Sequence, residues 1–354
     1  MDQVRHGEAA TEREATRGRR RLRVVSTTEL RAFRRCPRKH HFAYGLRIRA
    51  VYKVLVLRFG ILFHLALEAW WRAMALDLAL QAMAAHVAEL EKKNVSTDPF
   101  ELAKARALIT GYHHRWRGEP FEVLGIEVPF ETDLVNPRSG KPSRTYRLGG
   151  RLDALVRDVR GRVLIVESKT CSDDIAPGSD YWRRLRLDTQ VDNYFVGARA
   201  LGHDAHACLY DVIRKPTLRP LKRAENIRYR KDGEPYANQR LIDETPEEYQ
   251  ARLVQDIGEN PDKYYARGEI VRLQSECDEA AFDLWQTTRT MREAERAGRH
   301  PRNADACIGY GSVCEYFGVC TGEASLDDRQ LFRVANDTHE ELPRYADDGL
   351  ATAA

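Results

Sequence analysis

The feature that most constrains this chain is the run Arg162-Val-Leu-Ile-Val-Glu167-Ser168-Lys169, in which four consecutive apolar residues stop abruptly on a glutamate and a lysine. Preceded by a turn signal at Asp158 to Gly161, such a run predicts a buried strand. Side chains alternate along a strand, so Glu167 and Lys169 share one side and Ser168 takes the other. Two charges at the mouth of an apolar strand are costly to desolvate as packing residues, and they are expected to line a site. Upstream, Val123 to Thr132 and Thr145 to Arg157 read as two further strands of a meander. The second carries Gly149-Gly150-Arg151-Leu152-Asp153. Asp153 would then stand beside Glu167, and two carboxylates on neighbouring strands can converge on one hard divalent cation. Lys169 would stabilise phosphate charge or an attacking hydroxide. By spacing alone the pattern is weak, because acid and Glu-x-Lys pairs also arise by chance in exposed hairpins.

The rest of the chain frames this core. Leu185 to Leu201 reads as an amphipathic helix and His206 to Ile213 as a buried strand, giving the order strand, strand, strand, helix, strand. Ahead of it, Ser26-Thr27-Thr28-Glu29 begins a short capped helix. Phe59 to about Lys93 shows helical spacing, and Phe100 to Trp116 forms a further helix before Gly118 and Pro120. After it, Thr245 to Ile257 and Asp278 to Ala297 look helical. We expect a flexible basic arm over 1–23, a single domain over 24–325 with its core at about 121–215 and a helical region at about 59–118, and a polar tail over 326–354. With 354 residues, 43% of them hydrophobic, and 57 basic against 53 acidic side chains, the composition excludes disorder, collagen and a disulfide scaffold. The apolar stretch Phe59 to Leu67 is too short for a membrane span, and the first twenty-three residues have no apolar core for a secretory signal. A cytoplasmic, reducing setting is expected, in which seven cysteines are thiols or metal ligands.

The net charge of +4 names no partner, but its distribution is uneven. Nine basic residues and no acid fall between Leu30 and Leu67, among them Arg31, Arg34 and Lys39, and a second basic run spans Arg214 to Lys231. Tyr44, Tyr52, Tyr229 and Tyr236 are interleaved with these runs. A polyanion track with stacking tyrosines suits the pattern, and either run alone suits a solvated face equally.

Asp153 followed by Glu167-Ser168-Lys169 and a helix resembles the PD-(D/E)XK nuclease core, in its RecB-like branch. The resemblance implies an α/β fold with a mixed central sheet flanked by helices, a helical N-terminal insertion and a C-terminal iron-sulfur segment. It also implies Mg2+ or Mn2+ held by Asp153, Glu167 and the main-chain carbonyl of Ser168, with Lys169 catalytic. In that branch a histidine from an earlier helix joins the metal through Gly-x-x-x-His, which Gly60-Ile-Leu-Phe-His64 matches. Glu68, one turn on, shares the face of His64, and a solvated or packing role is its ordinary reading. A Gln-x-x-x-Tyr on the following helix positions DNA and the metal site, matched by Gln190-Val-Asp-Asn-Tyr194. The four-residue spacing puts both on one helical face.

Cys307, Cys314 and Cys320 form a glycine-rich C-terminal group, and Cys36 stands far upstream behind a helix-start signal. This arrangement of one plus three resembles iron-sulfur nucleases of the AddB type and the CRISPR-associated spacer-processing exonucleases. The resemblance implies that the four thiolates hold a 4Fe-4S cluster over 300–322 with Cys36. The first gap in the trio, six residues, is wider than in those relatives, while the second, five, agrees. A four-cysteine zinc site is the rival, although zinc sites more often pair their ligands as two close couples. Cys208 reads as core, and Cys171 and Cys277 as incidental thiols.

The function implied is a metal-dependent DNA exonuclease acting on single-stranded or exposed ends in recombination, repair or phage DNA processing. No Walker motif is present, so unwinding would need a helicase or recombination partner. The alternatives are a structure-selective or sequence-specific endonuclease, and a non-catalytic DNA-end-binding subunit.

Overall fold

The computed structural model of the chain describes residues 22–51, 58–234, 236, 239–309, 312–340 and 342. The arm up to residue 21, Tyr52, and the last twelve residues of the tail lie outside the described residues.

The central sheet is mixed and six-stranded. Its strands are β1 (Arg23–Ser26), β3 (Glu122–Val135), β4 (Pro142–Arg157), β5 (Val163–Cys171), β6 (Ala205–Arg214) and β7 (Tyr265–Ile270), and β2 (Ile48–Ala50) lies outside it. The order is β1-β4-β5-β6-β7, with β3 on the other edge of β4. The meander β3-β4-β5 is antiparallel, as its sequence predicts, and β6 joins β5 in parallel across a helix. Along the inner edge of β4, β5 pairs with Ala154 to Arg157, while β1 pairs in parallel with Tyr146 to Gly149. Residues 150–153 therefore lie between two partners, where the sheet parts. Crevices for ligands form where neighbouring strands diverge in this way.

Helices cover both faces, because each face of the sheet is apolar. The first layer is α2 (Arg58–Ala73), α3 (Leu76–Lys92), α4 (Pro99–Trp116) and α7 (Pro246–Glu259), and the second is α1 (Thr27–Arg35), α5 (Asp180–Leu185), α6 (Thr189–Ala200) and α8 (Gln274–Ala297). Phe63, Trp70, Leu108 and Leu253 of the first layer pack on Val156, Leu164, Val166 and Leu209. Leu30, Phe33, Val191 and Met291 of the second pack on Leu148, Leu152, Ile165 and Val212. Cys208 is fully buried in this second core, as expected.

Two glycines let α6 lie close to the sheet. A Cβ at Gly150 or at Gly197 would come within 2.5 Å of the Phe130 ring, so only glycine fits on either side of it. The helix predicted over Leu185 to Leu201 begins only at Thr189, because Leu185 ends α5 and Asp188 stands at the start of α6. The Asp188 carboxylate accepts from the Gln190 N–H at 2.8 Å and caps α6. The predicted helix at Asp278 starts earlier, at Gln274, where Glu276 accepts from the Leu273 N–H.

The two ends of the chain meet. Past the two-residue strands β8 (Ile308–Gly309) and β9 (Ser312–Val313), β10 (Phe332–Val334) pairs antiparallel with β2; it lies in the expected tail, and Phe332 packs with Tyr44, Ala50 and Tyr316. Beneath this joint Glu29 is fully buried, accepting from His40 at 2.8 Å and pairing with Arg23 and His339. Burial alone would raise its carboxyl, but the hydrogen bonds from His339 and His40 and the charge of Arg23 bring it down to about 2. A depressed acid stabilises the fold above its unfolded value near 4.5 and loses that contribution as pH falls toward 2. A shift of this size corresponds to about 3 kcal/mol. The melting temperature of the wild type should therefore fall between pH 4.5 and 2 more steeply than that of Glu29→Gln, and parallel acid profiles would refute the role assigned to this carboxylate.

Candidate active site at the parting of the sheet

Asp153 and Glu167 meet one step beyond the last paired residues of β4 and β5, Ala154 and Val166. The ladder opens there, and the Ser168 N–H donates to Asp153 Oδ2 at 2.9 Å instead of to a strand carbonyl. Glu167 is fully buried, and its Oε1 accepts from the Lys169 ammonium and from Gln190 Nε2 at 3.1 Å. Burial and the neighbouring Asp153 charge push the Glu167 carboxyl up to about 7, against the opposing pull of Lys169 and the Tyr194 hydroxyl. Asp153 is raised by burial as well, with Lys169 and the Ser168 N–H drawing it back. Burial would lower the Lys169 ammonium, yet Glu167 and Asp153 lift it above its ordinary value.

His64 projects from α2, its Nδ1 3.9 Å from Asp153 Oδ2. Burial and the charges of Lys169 and Arg151 lower its pKa, leaving a neutral imidazole with a lone pair. A side chain at Gly60 would meet Thr170 Oγ1 at an ordinary contact distance of 4.0 Å, so close approach does not explain this glycine. Among the described residues Glu68 makes no hydrogen bond to His64. It accepts from Arg72 at 2.6 Å, one turn along the same helix.

Gln190 and Tyr194 lie together on α6, and Gln190 Nε2 donates to the Tyr194 hydroxyl as well as to Glu167. The expected constellation of Asp153, Glu167, Lys169, His64, Gln190 and Tyr194 thus occupies one locality. Ser168 presents its N–H to Asp153.

Sequence reasoning missed Glu127. Its neighbours Ile126 and Val128 pair with Ala154 and Leu152, which places Glu127 across from Asp153. It adopts a left-handed φ of 51° at an irregular stretch of β3 and pairs with Arg151 at 2.6 Å. Burial raises its carboxyl to about 7, with Asp153, Glu68 and Glu167 adding to the rise against Arg151. The signal was a register argument, available only once the turn between β3 and β4 is located.

The fit to a divalent cation can be judged from the donors. Glu167 Oε2 is buried with no hydrogen-bond partner, an arrangement expensive for a carboxylate unless a cation completes it. Like-charged carboxylates held together in partial burial have the same requirement. Among the described residues no three His, Cys, Asp or Glu side chains already converge as ligands of one ion. The carboxylates of Asp153 and Glu167 fit a hard cation by their chemistry, although the side chains as placed do not form a ligand set for one.

The second basic run, Arg214 to Lys231, leaves the sheet at the end of β6, where the Lys215 N–H donates to the Cys171 carbonyl at 2.8 Å. Its charges are partly neutralised in space. Lys222 pairs with Asp243 at 3.0 Å, and Leu221 donates its N–H to Glu244, which also pairs with Arg252. Separation of charge along the sequence is thus only partly separation on the surface. Tyr229 and Tyr236 are exposed, whereas Tyr44 is buried under Arg49 and belongs to the core.

The segments that carry Cys36 and the C-terminal cysteines adjoin, but among the described residues no three cysteines gather as ligands of one metal ion. Cys36 caps the end of α1, its N–H donating to the Ala32 carbonyl. The residues beside it dock on the C-terminal segment, with Asn303 Nδ2 on the Arg35 carbonyl at 2.9 Å, Arg38 Nε on the His300 carbonyl at 3.1 Å, and Lys39 on Glu315 at 3.0 Å. Cys314 donates its N–H to the Cys307 carbonyl at 2.7 Å, and Arg302 donates to the Cys320 carbonyl at 3.2 Å. No disulfide involves any of the seven cysteines. Burial raises the Cys314 and Cys320 thiols, with Cys307 adding to both and Cys36 to Cys320.

A mixed sheet between helical layers, with two carboxylates and a lysine where its strands part, defines an α/β metal-dependent nuclease. The chain belongs to the PD-(D/E)XK nuclease superfamily, whose family model matches residues 24–321. Membership implies a divalent metal and a nucleic-acid phosphodiester substrate. Among solved structures, that of SSO0001 is similar at 16% identity, covering 78% of this chain and 91% of that one with a TM-score of 0.25. No curated protein is significantly similar to the chain. No helix among the described residues is long and apolar enough to cross a membrane.

Proposed function

We propose that the protein is an Mg2+- or Mn2+-dependent deoxyribonuclease that digests single-stranded or exposed DNA ends in recombination, repair or phage DNA processing. A helicase or recombination complex would supply the opened strand. The observation that carries this reading is the buried, unpartnered Oε2 of Glu167, set against Asp153 on the neighbouring strand with Lys169 beside it. Asp153, Glu167, neutral His64 and the Ser168 carbonyl would hold the metal. Bound there, it would make water nucleophilic at neutral pH and draw charge from the scissile phosphate.

The chain's own groups divide the remaining work. Lys169, kept protonated by its two acidic neighbours, cannot take a proton from water and acts by stabilising phosphate charge as it develops. Gln190 and Tyr194 engage Glu167, and Gln190 and Lys169 occupy Oε1, which leaves the buried Oε2 without a hydrogen-bond partner. Glu127 adds a third carboxylate, fixed by Arg151. At the joint of the chain ends, Cys36, Cys307, Cys314 and Cys320 would hold a 4Fe-4S cluster with a structural role.

The test is a gel of end-labelled linear and circular single-stranded DNA incubated with Mn2+. Loss of linear strands with intact circles is the expected result. Cutting of circles would make the protein an endonuclease, and binding without cleavage of either would make it an end-binding subunit.

A further inference from the structure

The proposed nuclease reading leaves unexplained how the Gln190 carboxamide is kept the right way round. An amide oxygen and nitrogen are nearly the same size, so shape alone does not orient it. In this chain its Nε2 faces Glu167 Oε1 at 3.1 Å and the Tyr194 hydroxyl, while its Oε1 accepts from Arg31 Nη1 at 3.2 Å. A guanidinium has donors and no acceptor, so whatever faces Arg31 must be the oxygen. Arg31 is itself fixed by an ion pair with Asp188, the carboxylate that caps α6. The result is a line of hydrogen bonds with one direction, from Arg31 through Gln190 to Glu167. Turning the amide over would aim its oxygen at a carboxylate, and it would remove one of the contacts that hold Glu167 Oε1.

The placement of α1 supports this. Thr27 and Arg31 lie four residues apart on one face of the helix, and Thr27 Oγ1 accepts from Asn193 Nδ2 of α6 at 2.8 Å. Thus two side chains of α1, Thr27 and Arg31, make hydrogen bonds to α6. One of these bonds, through Arg31, leads to the acids, and the other does not.

We infer that Arg31 is a positioning residue for cleavage: it orients the Gln190 carboxamide toward Glu167 without touching the substrate. This rests on the nuclease reading, and the experiment separates the two. Single-turnover and steady-state cleavage of an end-labelled single strand would be measured for the wild type, Glu167→Ala, Arg31→Met, Arg31→Lys, Thr27→Val, Gln190→Ala and the double variant Arg31→Met/Gln190→Ala. If the wild type does not cleave, or Glu167→Ala cleaves as well as it does, the nuclease reading itself fails. With that control satisfied, Arg31→Met should lower kcat about 10- to 100-fold, the scale of a misplaced catalytic group, with KM for DNA nearly unchanged. Arg31→Lys should recover part of the loss, and Thr27→Val should keep the wild-type rate. The double variant should be no worse than Gln190→Ala, because Arg31 acts only through that amide. A loss confined to KM and steepened by salt would mean that Arg31 grips phosphates directly, and the inference would be overturned. It would be overturned equally by additive losses in the double variant, or by a Thr27→Val defect matching that of Arg31→Met.

Discussion

Glu167→Gln is expected to lower metal-dependent DNA cleavage by roughly a thousand-fold or more, and Asp153→Ala by a similar factor, while both proteins stay folded and bound to DNA. Cleavage and stability are expected to separate. Glu167 sits fully buried beside Asp153, and its carboxyl is raised to about 7 because burial and the like charge both resist ionisation. Replacing it with the isosteric amide removes that repulsion and keeps an oxygen for Lys169. The melting temperature of Glu167→Gln, measured without divalent metal, should therefore be no lower than that of the wild type. Residues whose arrangement costs stability and serves chemistry behave this way, whereas packing residues lose both together. An electrophoretic shift with labelled DNA in EDTA would check that binding survives. Undiminished digestion by Glu167→Gln would remove the assignment. A large fall in its melting temperature would instead make Glu167 a structural residue.

How much of this site the sequence announces depends on whether its parts are local. The strand ending in Glu167-Ser168-Lys169 is legible because an apolar run cut off by charges is a local signal, and Asp153 follows from the meander beside it. His64, Gln190 and Tyr194 are located by family spacing alone, and nothing in their own segments marks them as neighbours of Glu167. Glu127 is hidden for a different reason. In Glu122 to Val135 it occupies what looks like an ordinary solvent-facing strand position, and only the pairing of Ile126 with Ala154 and Val128 with Leu152 sets it across from Asp153. Asp188 looked like one more polar residue on an amphipathic helix, when it is the cap that begins α6. The short strands β1, β7 and β10 carry no periodicity of their own. They exist because a partner far away in sequence supplies the hydrogen bonds: β10 pairs with β2, and β1 with the part of β4 that β5 has left. Arg31 was legible only as one basic residue among nine, and its partners on α6 are what distinguish it.

The second large effect is expected at the cysteines. Protein purified without oxygen should be brown and contain iron, and Cys36→Ser should be colourless, iron-poor and less stable. The elevated pKa values of Cys314 and Cys320 mean that these thiols, left to themselves, hold their protons, and that binding a metal group requires releasing them. Away from the cysteines the ends are joined by the β2–β10 pairing and the buried Glu29 group. The docking of Arg35, Arg38 and Lys39 on Asn303, His300 and Glu315 is partly exposed, and such contacts contribute modestly. A metal bridge through thiolates from Cys36 to the Cys307–Cys320 segment would close a loop of most of the chain. By the entropy argument used for cross-links, this confines the unfolded state by about 5 kcal/mol. In a chain of this size that corresponds to a fall of roughly 5 to 10 °C in melting temperature when the bridge is cut. Because Cys36 ends the same helix that carries Arg31, loosening it should also reduce cleavage, though by less than the loss of Glu167. Iron and zinc analysis with a thermal melt of wild type and Cys36→Ser would decide the matter. Colourless wild type with one equivalent of zinc would replace the cluster by a zinc site, and a Cys36→Ser protein with unchanged metal and melting temperature would show that Cys36 is no ligand at all.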